Sequence, residues 1–151
     1  MMQTSQNGID LIKQFEGYFP HTYTCPAGII TIGYGHTGSE AYWDNEVTER
    51  EAERLLIADL VTVEGSIETL VKVKLNQNQF DSLASFVFNL GASALKRSTL
   101  LRLLNNGDYT GAATEFCKWN KYKNHMTGGI KILPGLIRRR CEEAILFLKE
   151  V

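Results

Sequence analysis

One short, turn-centred strand pair near the N-terminus, followed by helix-period patterning to the other end, most narrows the folds open to this chain. Residues 18–24 and 29–34 are rich in aromatic and β-branched side chains and flank Pro26-Ala27-Gly28, which reads as a β-hairpin. Two strands alone are marginal in water and need another layer to rest on. Gly33, Gly35 and Gly38 follow, where glycine permits sharp bends or close backbone approach. Before the hairpin, Ile9, Ile12 and Phe15 recur at helical spacing beside Leu11, with residues 4–7 as polar caps and Gly17 as the stop. After it, Thr48-Glu49-Arg50-Glu51 forms a capping box ahead of Ala52, Leu55, Leu56, Leu60 and Val63. Asn76 and Gln79 cap a second apolar stripe, Phe80, Leu83, Ala84, Val87 and Phe88, that Gly91 ends. Residues 99–104 form a short helix closed by Asn105-Asn106-Gly107, and Asp108 opens the next, with Ala112, Ala113 and Phe116 inward. Residues 120–129 are polar and read as a loop. Pro134 suits a first helical turn, and Ile137, Cys141, Ala144 and Leu148 mark the buried face of the last helix. Strand content confined to the first third, with helices thereafter, specifies an α+β fold with segregated layers.

The 151 residues suit one domain spanning 1–151, and 44% hydrophobic content can fill its core. Within it, residues 17–47 read as a β lobe, 48–64 as a connecting helix and 65–151 as a helical lobe on which 1–16 packs. A net charge of −1 supplies no global field for nucleic acid or a membrane surface. The charge is uneven: residues 40–68 are acidic, whereas 116–141 hold seven Lys and Arg and no acid. That basic run is either a solvated face or a surface that meets an anionic polymer. Cys25, Cys117 and Cys141 are odd in number and widely spaced, which argues against a disulfide framework or a zinc site and for a reducing compartment. No basic n-region precedes an apolar h-region, so no signal peptide is expected, and no apolar run is long enough to span a bilayer.

The chemistry-bearing stretch is Phe15-Glu16-Gly17, Cys25-Pro26-Ala27-Gly28 and Thr31-Ile32-Gly33-Tyr34-Gly35-His36-Thr37. It strongly resembles the phage-type lysozymes of glycoside hydrolase family 24. That family places a Glu, eight residues, an Asp or in some members a Cys, five residues and a Thr; Glu16, Cys25 and Thr31 stand at this spacing. Residues 87–91 (VFNLG), 98–101 (STLL) and 133–136 (LPGL) followed by Arg138, Arg139 and Arg140 extend the resemblance in order along nearly the whole chain.

The resemblance implies a lysozyme-like fold and hydrolysis of the β-1,4 bond between N-acetylmuramic acid and N-acetylglucosamine in peptidoglycan, with inversion. Glycoside hydrolysis needs a proton donor, stabilisation of an oxocarbenium-like centre and an activated water. Glu16 is the expected acid. The C-terminal end of its helix disfavours a second negative charge, which helps a carboxylic acid to keep its proton. Cys25 stands where Asp is commoner and is open to three readings: base, nucleophile or scaffold. Thr31 would hold the attacking water. One of the three arginines is implied beside Glu16. Thr37 and Phe88 match positions that line the sugar cleft, and His36 matches a histidine paired with an aspartate on the connecting helix, here Asp59. Tyr18, Tyr34 and Trp119 are either sugar-stacking groups or packed aromatics. His21 and His125 have no motif support.

Three readings compete with a muramidase. A Cys–His hydrolase would use Cys25 and His36, leaving Glu16 idle. A silent module would bind peptidoglycan without releasing reducing ends. A transglycosylase would use the same acid and form an anhydro product. No metal or organic cofactor is implied, and a monomer suffices. The expected course is storage in host cytoplasm, with a holin-type partner giving access to the wall at lysis.

Overall fold

A computed structural model of the chain describes residues 1–124 and 126–151. His125 lies outside the described residues, and with it the expectation made for that histidine. Helix α1 (Gln6–Glu16) leads into strands β1 (Phe19–Thr24) and β2 (Ile30–Gly33), then α2 (Glu49–Leu70), α3 (Gln77–Leu90), α4 (Ala92–Lys96), α5 (Thr99–Asn105) and α6 (Tyr109–Glu115). A 3₁₀ turn (Phe116–Lys118), strands β3 (Lys121–Lys123) and β4 (Ile130–Ile132), and helix α7 (Pro134–Leu148) complete the chain. The architecture is α+β: two small antiparallel hairpins on a mainly helical body.

The second hairpin corrects two sequence expectations, that residues 120–129 are a loop and that strand structure stays in the first third. Lys121 pairs with Ile132, Tyr122 with Lys131 and Lys123 with Ile130. Three-residue strands with lysine at alternate positions carry too little β-pattern to read from sequence.

Two apolar clusters make the core. One joins α1, β2 and the first half of α2 through Ile9, Ile12, Ile32, Tyr34, Val47, Ala52, Leu55, Leu56 and Leu60. The other is built around α3, where Phe80, Leu83, Phe86 and Val87 meet Ile67, Leu95, Leu100, Leu104, Phe116 and Phe147. Each fully buried aliphatic or aromatic side chain contributes about 1.5–3 kcal/mol. Helix α2 bridges the clusters. It runs to Leu70, beyond the expected end at 64, because Ile67 is buried in the second cluster.

The capping boxes form as read. Thr48 Oγ1 accepts from the Glu51 N–H while Glu51 accepts from the Thr48 N–H, and Asn76 and Gln79 do the same at α3. At α1 the polar cap has another use: the Ser5 hydroxyl donates to buried Asp81 of α3, which also accepts the Ser5 N–H at 2.9 Å. A longer residue at Gly8 would collide with the Asp81 side chain, so this glycine permits the α1–α3 approach.

Helix α7 departs most from the sequence reading. Its buried residues are Arg139, Arg140, Glu143 and Phe147, whereas Ile137 and Leu148 are exposed. Arg139 and Arg140 are 3% and 0% exposed, so two of the three arginines are interior rather than part of a basic surface. Arg140 Nε lies 2.7 Å from Glu143 Oε1, its Nη2 donates to Asn89 Oδ1 at 2.9 Å, and the Ser85 hydroxyl donates to Glu143 Oε2 at 2.6 Å. Polar partners on α3 thus turn the helix about one residue from its hydropathy stripe.

Cys117 and Cys141, distant in sequence, meet where the 3₁₀ turn packs on α7. Burial first, then the neighbouring Cys141 thiol, pushes the Cys117 thiol above its ordinary range. Both are free thiols, as is Cys25.

Candidate active site

Glu16 is the last residue of α1. Gly17 ends the helix with φ +72°, a conformation side chains disfavour, and its N–H returns to Lys13 O. The Glu16 side chain is 19% exposed. Arg139 Nη1 donates to Glu16 Oε1 at 3.0 Å, and Arg139 Nη2 donates to Ser85 O at 3.2 Å. Arg139 Nε lies 3.5 Å from Glu143 Oε2, and its guanidinium lies 5.8 Å from the Phe15 ring centroid. Fixed on several sides, the guanidinium sets the orientation of the carboxylate.

Gly35 faces the other oxygen. Its φ is +77°, and a Cβ there would stand 3.3 Å from Glu16 Oε2 and 3.8 Å from the Phe88 ring. Any larger residue would be strained and would press on the carboxylate. Phe88 is half-buried against the first apolar cluster, on the same side of Gly35 as Glu16. Thr37 is exposed on the loop beyond His36.

The first hairpin carries the remaining expected groups. Its turn is tight: the Cys25 N–H donates to Ile29 O at 2.9 Å and the Gly28 N–H to Cys25 O at 2.8 Å. Hydrogen bonding to the Ile29 backbone holds the Cys25 thiol below its ordinary range against desolvation, helped by the Ala27 backbone and the Thr31 side chain. Thr31 is buried, and its hydroxyl also reaches Ile29 O at 3.0 Å. Cys25 and Thr31 therefore share one polar corner.

Tyr23 joins this group, although sequence reasoning passed over it. It pairs with Thr31 across the hairpin, so the two side chains share a face. Burial, then the charges of Glu16 and Cys25, raises the Tyr23 phenol above its usual value. Its position two residues before Cys25, on the same side of a strand, was the available signal.

His36 is held away from this chemistry. Its Nδ1 lies 2.8 Å from Asp59 Oδ2 on α2, and its Nε2 lies 2.8 Å from Glu40 Oε2. Ionised carboxylates only accept, so both ring nitrogens must carry protons. Neither is free to take one from Cys25. Burial opposes the charge, but the bonds to Asp59 and Glu40 outweigh it and raise the His36 pKa above 6.5. Glu40 is lowered from 4.5, first by its bond to His36. The His36 contribution to stability is full below the ordinary histidine value and disappears as pH rises through the raised one. The Glu40 contribution disappears as pH falls through its lowered value. The stability advantage over His36→Gln should therefore be largest between roughly pH 5 and 6.5 and fade as the pH rises above that window, as urea midpoints across the pH range would show.

The three aromatics considered for sugar stacking are engaged elsewhere. Tyr18 donates to Val47 O at 2.7 Å, buried Tyr34 donates to Glu49 Oε1 at 3.1 Å, and Trp119 packs edge-on against Phe86. The more exposed aromatics are Tyr42 and Trp43, at 59% and 66%. Among the described residues no cluster of His, Cys, Asp or Glu could hold a metal ion, and no helix is long and apolar enough to cross a membrane.

The profile of the Phage lysozyme family matches residues 13–143, from α1 into α7, and so includes every group just described. The chain belongs to the phage lysozyme family. It is 46% identical to an endolysin of Acyrthosiphon pisum secondary endosymbiont phage 1, covering 97% of this chain and 98% of that one. The endolysin of Salmonella phage P22 is 45% identical, covering 98% and 99%. Among solved structures, the muramidase domain of SpmX from Asticaccaulis excentricus superposes with a TM-score of 0.92 at 40% identity, covering 99% of this chain and all of that one. As a phage lysozyme the chain is a glycoside hydrolase, and the α+β fold expected from its patterning is the family's fold.

Proposed function

We propose that this phage lysozyme is an endolysin muramidase that cleaves the β-1,4 bond between N-acetylmuramic acid and N-acetylglucosamine, with Glu16 as general acid. The observation that carries this reading is the division of the Glu16 carboxyl. Oε1 is bound by Arg139, and Oε2 faces Gly35. A proton on Glu16 therefore sits on Oε2. It passes to the bridging oxygen as the bond from C1 to that oxygen breaks, leaving an oxocarbenium-like centre. A water held at Thr31 attacks C1 from the opposite face and gives its proton to the Cys25 thiolate. The bond formed is C1 to water oxygen, and the product is inverted. Thr37 and Phe88 would contact the sugars, and the His36–Asp59 pair would tie the loop after β2 to α2.

Cys25 acts here as a base because its hydrogen bonds favour thiolate. Iodoacetamide should modify it with half-maximal reactivity below the ordinary value of 9.0, and modification should stop reducing-end release. Cys25→Asp should remain active and resist the reagent. Cys25→Ser should lose about 10²–10⁴-fold in kcat. Full activity in the serine variant would reduce Cys25 to scaffold. A Cys–His hydrolase is disfavoured by the two carboxylates that occupy His36. We further propose that the chain acts as a monomer, is stored in host cytoplasm, and reaches the wall through a holin-type partner. Lysis timing in a host with and without a holin tests the last step.

A further inference from the structure

Two thiols that the mechanism does not use are brought together by the packing of the 3₁₀ turn on α7. Phe116 in the turn stands edge-on to Phe86, with centroids 5.6 Å apart, and the Arg140 guanidinium lies 5.2 Å from the centroid of that same Phe86 ring. Phe116 also meets Phe147 of α7 at 5.4 Å. Cys117 follows Phe116 and Cys141 follows Arg140, so the residues that carry the thiols adjoin two groups held on one ring. The thiols stand within hydrogen-bonding reach of each other. Cys25 lies between the strands of the first hairpin and takes no part in this pair.

Packing alone does not account for the pair. A structural cysteine behaves as a small buried hydrophobe, yet Cys117 is exposed and Cys141 only partly buried. A solute can therefore reach Cys117 directly. The turn itself is well fixed: the Trp119 N–H returns to Phe116 O at 3.1 Å, and the Trp119 ring packs on Phe86 at 5.6 Å. Adjacent thiols on elements already held in place lose little freedom when a bond joins them.

We propose that Cys117 and Cys141 form an internal disulfide when the chain meets an oxidising compartment, stapling the 3₁₀ turn to the helix that carries Arg139. The oxidant is an organic disulfide. Exposed Cys117, as thiolate, attacks one of its sulfurs; a bond from Cys117 Sγ to that sulfur forms, the oxidant's S–S bond breaks and one thiol leaves. Cys141 Sγ, its proton lost to solvent, then attacks Cys117 Sγ, and the second thiol leaves. The two cysteines have given up two protons and two electrons, and the oxidant is reduced to two thiols. The closed loop, residues 117–141, holds both strands of the second hairpin and the first half of α7. Closing it restricts the unfolded chain and so stabilises the folded one. Only the timing of the step rests on the passage from cytoplasm to wall proposed above, since thiols stay reduced in the first and not in the second.

The test is to incubate the protein with oxidised glutathione, block remaining thiols with N-ethylmaleimide and map the product by mass spectrometry. The parent should show one link, with the loss of two hydrogens, between the peptides that hold Cys117 and Cys141, and Cys25 should lie outside it. Its Tm should rise by roughly 5–12 °C over the reduced protein, and dithiothreitol should reverse the rise. Cys141→Ser should instead keep glutathione on Cys117, because the resolving thiol is gone. Cys117→Ser should form no link, and neither variant should gain in Tm. A parent left with Cys117 free or still holding glutathione would overturn the proposal, as would a link to Cys25 or between two chains. A closed link with an unchanged or lower Tm would overturn the staple. None of these readouts uses glycan cleavage, so an absence of reducing-end release would sink the muramidase reading and leave the thiol test intact.

Discussion

Glu16→Gln is expected to lower the kcat for reducing-end release from peptidoglycan by about 10²–10⁴-fold with little change in folding. Glutamine keeps the size of the side chain and an oxygen for Arg139, whose Nη1 lies 3.0 Å from Oε1. It removes only the transferable proton at the position facing Gly35. The loss should therefore fall in kcat, and wall binding should persist. Retained release would remove Glu16 from the acid's role. Wall lysis without new reducing ends in both proteins would move the activity to another bond. Folded parent protein that bound wall and released nothing would fit the silent module.

The largest effect on stability is expected at Glu143. It is fully buried between Arg140 at 2.7 Å and Arg139 at 3.5 Å, with the Ser85 hydroxyl at 2.6 Å. Glu143→Leu would leave two interior guanidiniums without their shared counter-charge, at a cost of about 3–5 kcal/mol. In a domain of this size that lowers Tm by roughly 6–20 °C. The urea midpoint should fall at constant slope. Replacing both members, Arg140→Met with Glu143→Leu, should cost less than the single change, because no unpaired charge on Arg140 remains. A double variant no better than the single one would show that the pair is not the source of the loss. Glu143→Leu should also reduce activity in the surviving folded fraction, since Arg139 loses one of the groups that fix it beside Glu16.

The α7 helix shows where sequence and tertiary structure part. Pro134 and the apolar residues after it announce a helix, and one forms. They do not show which face is buried. The Ile137–Leu148 stripe points one way by hydropathy, yet the buried residues are Arg139, Arg140, Glu143 and Phe147. Hydropathy scores a residue alone, whereas a buried arginine is stabilised by partners distant in sequence. Here those partners are Glu16, Ser85 and Asn89. The second hairpin escaped for a related reason: its short strands are defined by their pairing rather than by apolar alternation.

By itself the sequence determined the α+β class, the first hairpin, the two capping boxes and the breaks at Gly17 and Gly91, because each depends on residues within a few positions of one another. The spacing of Glu16, Cys25 and Thr31 was legible in the same way, since a helix end and one hairpin carry all three. Tertiary structure alone chose Arg139 among three adjacent arginines and occupied both nitrogens of His36 with Asp59 and Glu40. It also brought Gly35 against Glu16 Oε2. Those outcomes depend on which faces meet when α1, α3 and α7 pack together and on the loop after β2 folding back to α2, distances that no local pattern encodes.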